Sequence, residues 1–303
     1  MEQRSPRGGA LYALGAYGVW GLVPVFWPLV ARAGAFELLA HRVVWSLAIS
    51  ALLALVLLPK GWLRRIGTRR NLAMLALAAA VVSVNWGLYI WSVNHGHVLE
   101  TSLGYYINPI LSILVGVLLL GERLAPLQWV SVGLAVAAVV VLTIDYGRPP
   151  WIALVLAASF ATYGVMKKQV NGGAVETLTV ESALLTPIAL VYLLVLQLRG
   201  GSTFLTLGWA HSLLLVATGL VTVVPLLFFA AATTRLPLST LGLFQYLAPT
   251  LQFLLGVTYF GEHLSTGRWV GFGLVWVALM ILTAHGIHGA GSRRRARLVP
   301  EPA

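Results

Sequence analysis

Three ionisable side chains stand inside long apolar runs. His41 and Arg42 lie in "AHRVVWS" (40–46), and Glu181 lies in "TVESALL" (179–185). A charge at the centre of a membrane helix costs about 2.5–3.5 kcal/mol on insertion scales, so such residues are functional candidates. Arg42 suits an anionic group. His41 and Glu181 suit proton carriage, since imidazole titrates near neutrality in water and burial moves carboxylates towards it. The structural alternative is that Arg42 snorkels to the membrane surface and Glu181 caps a helix break near Pro187. Other polar residues form stripes. Asn85, Tyr89 and Ser92 share one helix face, as do Tyr105, Asn108 and Ser112, with Gln245, Ala248 and Gln252 as a third set. Trp86, Tyr106 and Tyr246 lie beside these faces. Such stripes line a cavity for a polar or aromatic solute, or they hold helices together by hydrogen bonds. The sequence leaves both uses open.

The elements carrying these residues must be membrane helices. Of 303 residues, 59% are hydrophobic and 10% charged, with mean hydropathy +0.87. A soluble domain carries roughly 25% charged residues. Apolar runs near the length of a bilayer-crossing helix recur throughout. They predict ten spans, at roughly 10–30, 36–58, 72–93, 98–120, 126–144, 150–167, 177–198, 208–231, 239–260 and 268–288. The first is longer than the 7–15 residues of a signal-peptide core, so it is read as a retained helix. No connecting segment is long enough for a separate domain.

Charge placement predicts the orientation. With the N-terminus in the cytoplasm, fifteen of the twenty Lys and Arg fall on the inner side. Four, Arg32, Arg148, Arg199 and Arg268, fall outside, and Arg42 lies within a span. Both termini are therefore expected in the cytoplasm. The net charge of +11 then reflects basic residues facing anionic lipid rather than a nucleic-acid partner.

Motifs for other chemistries are missing. There is no phosphate-binding G-x-x-x-x-G-K-[ST], no H-E-x-x-H and no G-x-S-x-G. Glu37 with His41, and His285 with His288, are each too few ligands for a metal. No catalytic residue, metal or cofactor is expected. The zero cysteine count excludes disulfides and thiolate sites.

One sentence is written twice. "LGYYINPILSILVGVLLLGE" (103–122) and "LGLFQYLAPTLQFLLGVTYFGE" (241–262) align at an offset of 140 residues, pairing Tyr106 with Tyr246, Pro109 with Pro249 and Glu122 with Glu262. The same offset pairs His41 with Glu181. The expected halves are residues 1–145 and 146–288, followed by a basic cytoplasmic tail at 289–303. Five spans per half is an odd number, so the second half enters from the opposite side. The expected fold is all-α, with ten transmembrane helices as two inverted five-helix repeats, an arrangement used for alternating access. His41 and Glu181 should lie roughly 14 Å apart in depth, one near each face.

"NWGLYIWSVNHGHVLETSLGYYINP" (85–109), "AHRVVWS" (40–46), "GERL" (121–124) and "VPLLFFAAATTRLPLSTLG" (224–242) closely resemble the EamA-type transporters of the drug/metabolite transporter superfamily, RarD proteins above all. The resemblance spans essentially the whole chain. It implies a multi-pass bacterial inner-membrane protein that moves a small metabolite, in export among relatives. The expectation is a secondary transporter whose solute meets Arg42, Asn85, Trp86, Tyr89, Tyr105, Tyr106, Asn108, Gln245 and Tyr246. His41 or Glu181 would carry a coupling proton. The rivals are an intramembrane enzyme, and a membrane sensor or scaffold that transports nothing.

Overall fold

The computed structural model describes residues 6–120, 124–170, 172–236 and 238–296. Glu122, Arg123 and residues 297–303 lie outside this range, and the side chains of Ser112, His285 and His288 are likewise outside it. The helices are α1 (Pro6–Leu22), α2 (Gly34–Leu57), a short α3 (Trp62–Ile66), α4 (Arg69–Asn94), α5 (Val98–Leu120) and α6 (Pro126–Tyr146). There follow α7 (Trp151–Lys168), α8 (Ala174–Leu198), α9 (Trp209–Thr233), α10 (Leu238–Phe244), α11 (Leu247–Thr258) and α12 (Thr266–Ala296). No strand occurs among the described residues. An apolar chain in lipid must satisfy its backbone internally, and helices do so.

Eight helical stretches among the described residues are long and apolar enough to cross a membrane: Gly8–Val25, Trp27–Leu57, Arg69–Asn94, Pro126–Tyr146, Ala174–Leu198, Trp209–Thr233, Thr240–Thr258 and Thr266–Ala284. The segments expected at 98–120 and 150–167 are helical too, as α5 and α7, but are not among those eight. Three details differ from the expected spans. The first helix ends at Leu22 and continues as two 3-10 segments, Val23–Val25 and Trp27–Ala33. Pro24 and Pro28 cannot continue an α-helical hydrogen-bond ladder. The ninth span is interrupted between α10 and α11 at Gln245 and Tyr246. The last helix runs on to Ala296, so the start of the basic tail is helical.

Many apolar side chains face outward from the bundle, while others form its core. Leu55, Leu198 and Ile188 are largely exposed, as lipid contact requires. Asn85, Ser92 and Thr218 are fully buried. Close helix crossings use small residues, as is usual in membranes. A Cβ on Gly219 of α9 would lie 2.7 Å from Trp45 of α2, and one on Gly256 of α11 would lie 2.8 Å from Leu99 of α5.

The main helix pairs join the first half to the second. They are α6 with α12, α5 with α7 and α11, α2 with α8 and α9, α1 with α9 and α11, and α4 with α7 and α8. This list is reciprocal. Matching α1, α2, α4, α5 and α6 in order with α7, α8, α9, α10–α11 and α12 turns α1–α9 into α7–α4. It turns α1–α11 into α7–α5, and α2–α9 into α8–α4. The pairs α2–α8, α5–α11 and α6–α12 map onto themselves.

Candidate functional site

Arg42 sits on α2 about 12 Å from its start, at 1.5 Å per residue, and is 7% exposed. Its Nε donates to Thr222 Oγ1 on α9 at 2.8 Å. The guanidinium carbon lies 3.8 Å from the centroid of Trp86 on α4, a close cation–π contact, and 5.8 Å from that of Trp27. Among the described residues no carboxylate pairs with it. Arg42 therefore does not snorkel to the surface. It is held inside by an aromatic wall and a hydroxyl.

The polar stripe of α4 joins this wall. Tyr89 and Tyr105 lie within electrostatic range of Arg42, with ring centroids 5.7 Å apart. Tyr105 donates to Asn85 Oδ1 at 3.3 Å. Asn85 Nδ2 donates to the Leu156 carbonyl and to Ser159 Oγ, both at 2.9 Å on α7. Asn85 thus serves as helix glue and as a support for Tyr105, so the two uses of the stripe meet in one residue. The Tyr89 hydroxyl, the Trp27 indole N–H and the Asn108 amide oxygen are buried without hydrogen-bond partners.

Tyr106 and Tyr246 belong elsewhere. They line a separate cleft of ≈ 540 Å³ with Thr250, Trp276, Met280 and Thr283. It lies between α5, α11 and α12, and Tyr106 Oη is 2.8 Å from Thr250 Oγ1 at its wall. Gln245 is half-buried at the break between α10 and α11. Gln252 instead ties α11 to the Trp20 carbonyl at 3.1 Å. The set named from sequence therefore divides into an Arg42 group and a Tyr106–Tyr246 group.

His41 and Glu181 have separate surroundings. Trp45 Nε1 donates to His41 Nδ1 at 3.3 Å. The neutral ring then carries its proton on Nε2, which has no hydrogen-bond partner and lies 3.9 Å from Glu37 Oε1. Glu37 itself accepts from the Thr203 N–H at 2.8 Å and from Ser202 Oγ at 3.3 Å. Glu181 accepts from Lys167 Nζ at 2.8 Å and from the Tyr163 hydroxyl at 3.2 Å. Lys167 also donates to Thr177 Oγ1 at 2.6 Å. The helix-break cap foreseen for Glu181 near Pro187 is not its role, since Pro187 stands inside an unbroken α8. Among the described residues no group of three or more potential ligands is placed to hold a metal.

Sequence reasoning passed over three residues of this region. Trp27 opens the second 3-10 segment, and Pro24 and Pro28, one in each segment, were the available signal. Thr222 is one hydroxyl among many, and nothing local marks it. Glu262 appeared only as a marker of the repeat. It lies in the turn between α11 and α12, outside the spans, and accepts from the backbone N–H groups of Val98 and, at 3.1 Å, Leu99. It thereby caps α5. Burial pushes its carboxyl up to about 7, against the two backbone hydrogen bonds and Arg268, which pull it down.

The EamA-like transporter family model matches twice, over residues 7–144 and 149–284. The protein RarD of Streptomyces exfoliatus is 59% identical over 297 residues, covering 98% of this chain and 94% of that one. The protein RarD of Escherichia coli is 42% identical over 289 residues, covering 95% and 98%. An uncharacterized transporter of Vibrio cholerae is 40% identical over 299 residues, covering 98% of each. A solved crystal structure shares the fold, with TM-score 0.59 at 18% identity over 90% of this chain and 96% of that one. Apolar helices, a duplicated family match and transporter relatives agree: the chain belongs to the EamA-like transporter family, as a membrane transporter of the RarD group.

Proposed function

We propose that this transporter is a secondary exporter of a small polar or aromatic metabolite, working by alternating access around the Arg42 site. The observation that carries this reading is a buried guanidinium with no acidic partner among the described residues, set against Trp86. An unneutralised buried charge costs several kcal/mol, and a solute that supplies the anionic group offsets that cost only while bound. Ten spans in two inverted five-helix repeats, with both termini cytoplasmic in a bacterial inner membrane, provide the two exchangeable halves. The reciprocal helix pairing supports the repeat, and the charge bias supports the orientation.

Coupling is to protons. His41 is the better carrier, because its Nε2 is unpartnered and faces Glu37, whereas Glu181 is engaged by Lys167 and Tyr163. The test is flux in reconstituted vesicles. Solutes are first chosen by comparing metabolites in cells that lack or overproduce the protein. Uptake or efflux of the leading solutes should respond to an imposed pH gradient, and His41→Ala should weaken the response. Flux that ignores collapse of the gradient would make the protein a uniporter or exchanger.

A further inference from the structure

We propose that the Arg42 site is a receptor for a single carboxylate, read jointly by Arg42, the Trp27 indole N–H and the Tyr89 hydroxyl. This rests on the transport reading above and names the chemistry of the group that the site takes.

The argument is an inventory of unmade bonds. Trp27 is fully buried, and its Nε1 has no acceptor. An indole N–H can only donate. Tyr89 is 4% exposed, and its hydroxyl is likewise without a partner. Arg42, whose guanidinium carbon lies 5.8 Å from the Trp27 ring centroid and within electrostatic range of Tyr89, can only donate. Its Nε is committed to Thr222, and no hydrogen bond engages its Nη1 and Nη2 among the described residues. Those two groups form the planar end that pairs bidentately with a carboxylate. A buried donor left unsatisfied costs about 1–3 kcal/mol, so unmade donors on neighbouring side chains point to an acceptor absent from the bare protein.

Three further features narrow the class. An acceptor-rich but neutral group would leave the guanidinium charge unanswered. A dianionic phosphate calls for a second cation, and no other Lys or Arg contacts this group among the described residues. The Trp86 face covers one side of the guanidinium, which leaves the approach in the plane of the fork. Together these favour a planar monoanion.

The test uses the full chain in detergent micelles. Acetate, benzoate and phenylacetate are the probes, each beside its primary amide, which has nearly the same shape but lacks the charge and replaces one acceptor by a donor. Binding is read from the rise in thermal midpoint with probe concentration, since a ligand of the native state stabilises it by mass action. At least one acid should stabilise the protein with a saturating dose response, and its amide should not. Tyr89→Phe, which keeps the ring, and Trp27→Phe, which keeps an aromatic side chain but loses the indole N–H, should each raise the half-saturating concentration about tenfold or more. Arg42→Gln should abolish the response, and Arg42→Lys should retain a weaker one.

The proposal is overturned if no acid binds, if amides match their acids, or if Trp27→Phe and Tyr89→Phe both bind like the parent protein. Vesicle flux separates the two claims. Solute flux without carboxylate binding sinks only this proposal. Carboxylate binding by a protein that moves no solute sinks the transport reading and leaves the site.

Discussion

Arg42 and Glu181 are both charged, both buried and both within membrane-crossing helices, yet their surroundings differ. Glu181 is answered within the protein by Lys167 and Tyr163, and their bonds tie α8 to α7. Arg42 is answered by a hydroxyl and an aromatic face, without an acid among the described residues. A charge that the fold neutralises belongs to the fold. A charge that the fold leaves open, at a cost of kilocalories, is the one on which the transport reading rests. The offset of 140 residues puts Glu181 opposite His41, and the residue beside His41 is the open one. The two halves have therefore kept one architecture and divided its chemistry.

The largest expected effect comes from closing the open charge. Arg42→Gln should lower solute flux in reconstituted vesicles by at least about 100-fold, as the loss of a buried, hydrogen-bonded charge contact of several kcal/mol implies. The thermal midpoint of the empty protein should stay level or rise, because a buried charge is removed. A large fall in stability with normal flux would place Arg42 in the same class as Glu181 and erase the contrast.

Opening the closed charge should do the reverse. Glu181→Gln leaves Lys167 without its counter-charge. Fully buried pairs lose about 3–5 kcal/mol on such a change, but the Lys167 side chain is 25% exposed, so about 2 kcal/mol is expected. The double change Lys167→Met with Glu181→Gln should recover part of the loss in thermal denaturation. Absence of coupling in this cycle would mean that the pair contributes little to the fold.

Glu262 is a third case, a carboxylate answered by backbone. Its carboxyl, raised to about 7, binds its proton more tightly in the folded state than in the unfolded chain. Stability should therefore fall as pH rises from about 4.5 to about 7, the interval between the two values. Around it stand Arg268, which also bonds Asp145, and Glu100, which pairs with Arg148 and accepts from the Ile152 N–H. His97 faces Glu100, and burial lowers its affinity for a proton. Glu262→Gln should flatten the slope of thermal midpoint against pH in that window. An unchanged slope would mean that Glu262 does not set it; His97 cannot, because its lowered affinity for a proton makes stability rise with pH.

The helices and their partners were legible in the sequence to different degrees. The apolar runs gave most of the helices, because in lipid the backbone has no other outlet. The 3-10 stretch around Trp27 was foreshadowed by Pro24 and Pro28 but smoothed over by the hydropathy of the run. The break at Gln245 could not be read. Pro109 and Pro249 each deny a hydrogen bond to the carbonyl four residues earlier, of Tyr105 and Gln245. Yet α5 runs through its proline, while α10 and α11 part. Identical local chemistry has two outcomes, and the tertiary neighbours choose between them. The Arg42 site mixes both kinds of knowledge. Arg42 and Tyr89 announced themselves by type and spacing, but Thr222 is 180 residues away and becomes a partner only when α2 and α9 pack. Glu262 likewise reaches a helix end 164 residues away in sequence.

The smallest expected effect tests a contact with no charge at all, where the doubled segments meet. Tyr106 Oη and Thr250 Oγ1 are 2.8 Å apart and link α5 to α11. Thr250 also donates to the Tyr246 carbonyl at 2.7 Å, so its one proton is committed there and Tyr106 is the donor in the link. Tyr106→Phe keeps the ring against Phe272 and Trp276 and removes the hydroxyl and with it this bond, worth about 1 kcal/mol. The thermal midpoint should drop slightly, and flux through the Arg42 site should hold within about threefold. The cleft beside it is a different place from the Arg42 group, and that separation is what the variant probes. A loss of flux comparable to that of Arg42→Gln would mean that the solute passes Tyr106 and Tyr246 as well, and that the two groups of residues are stations on one path.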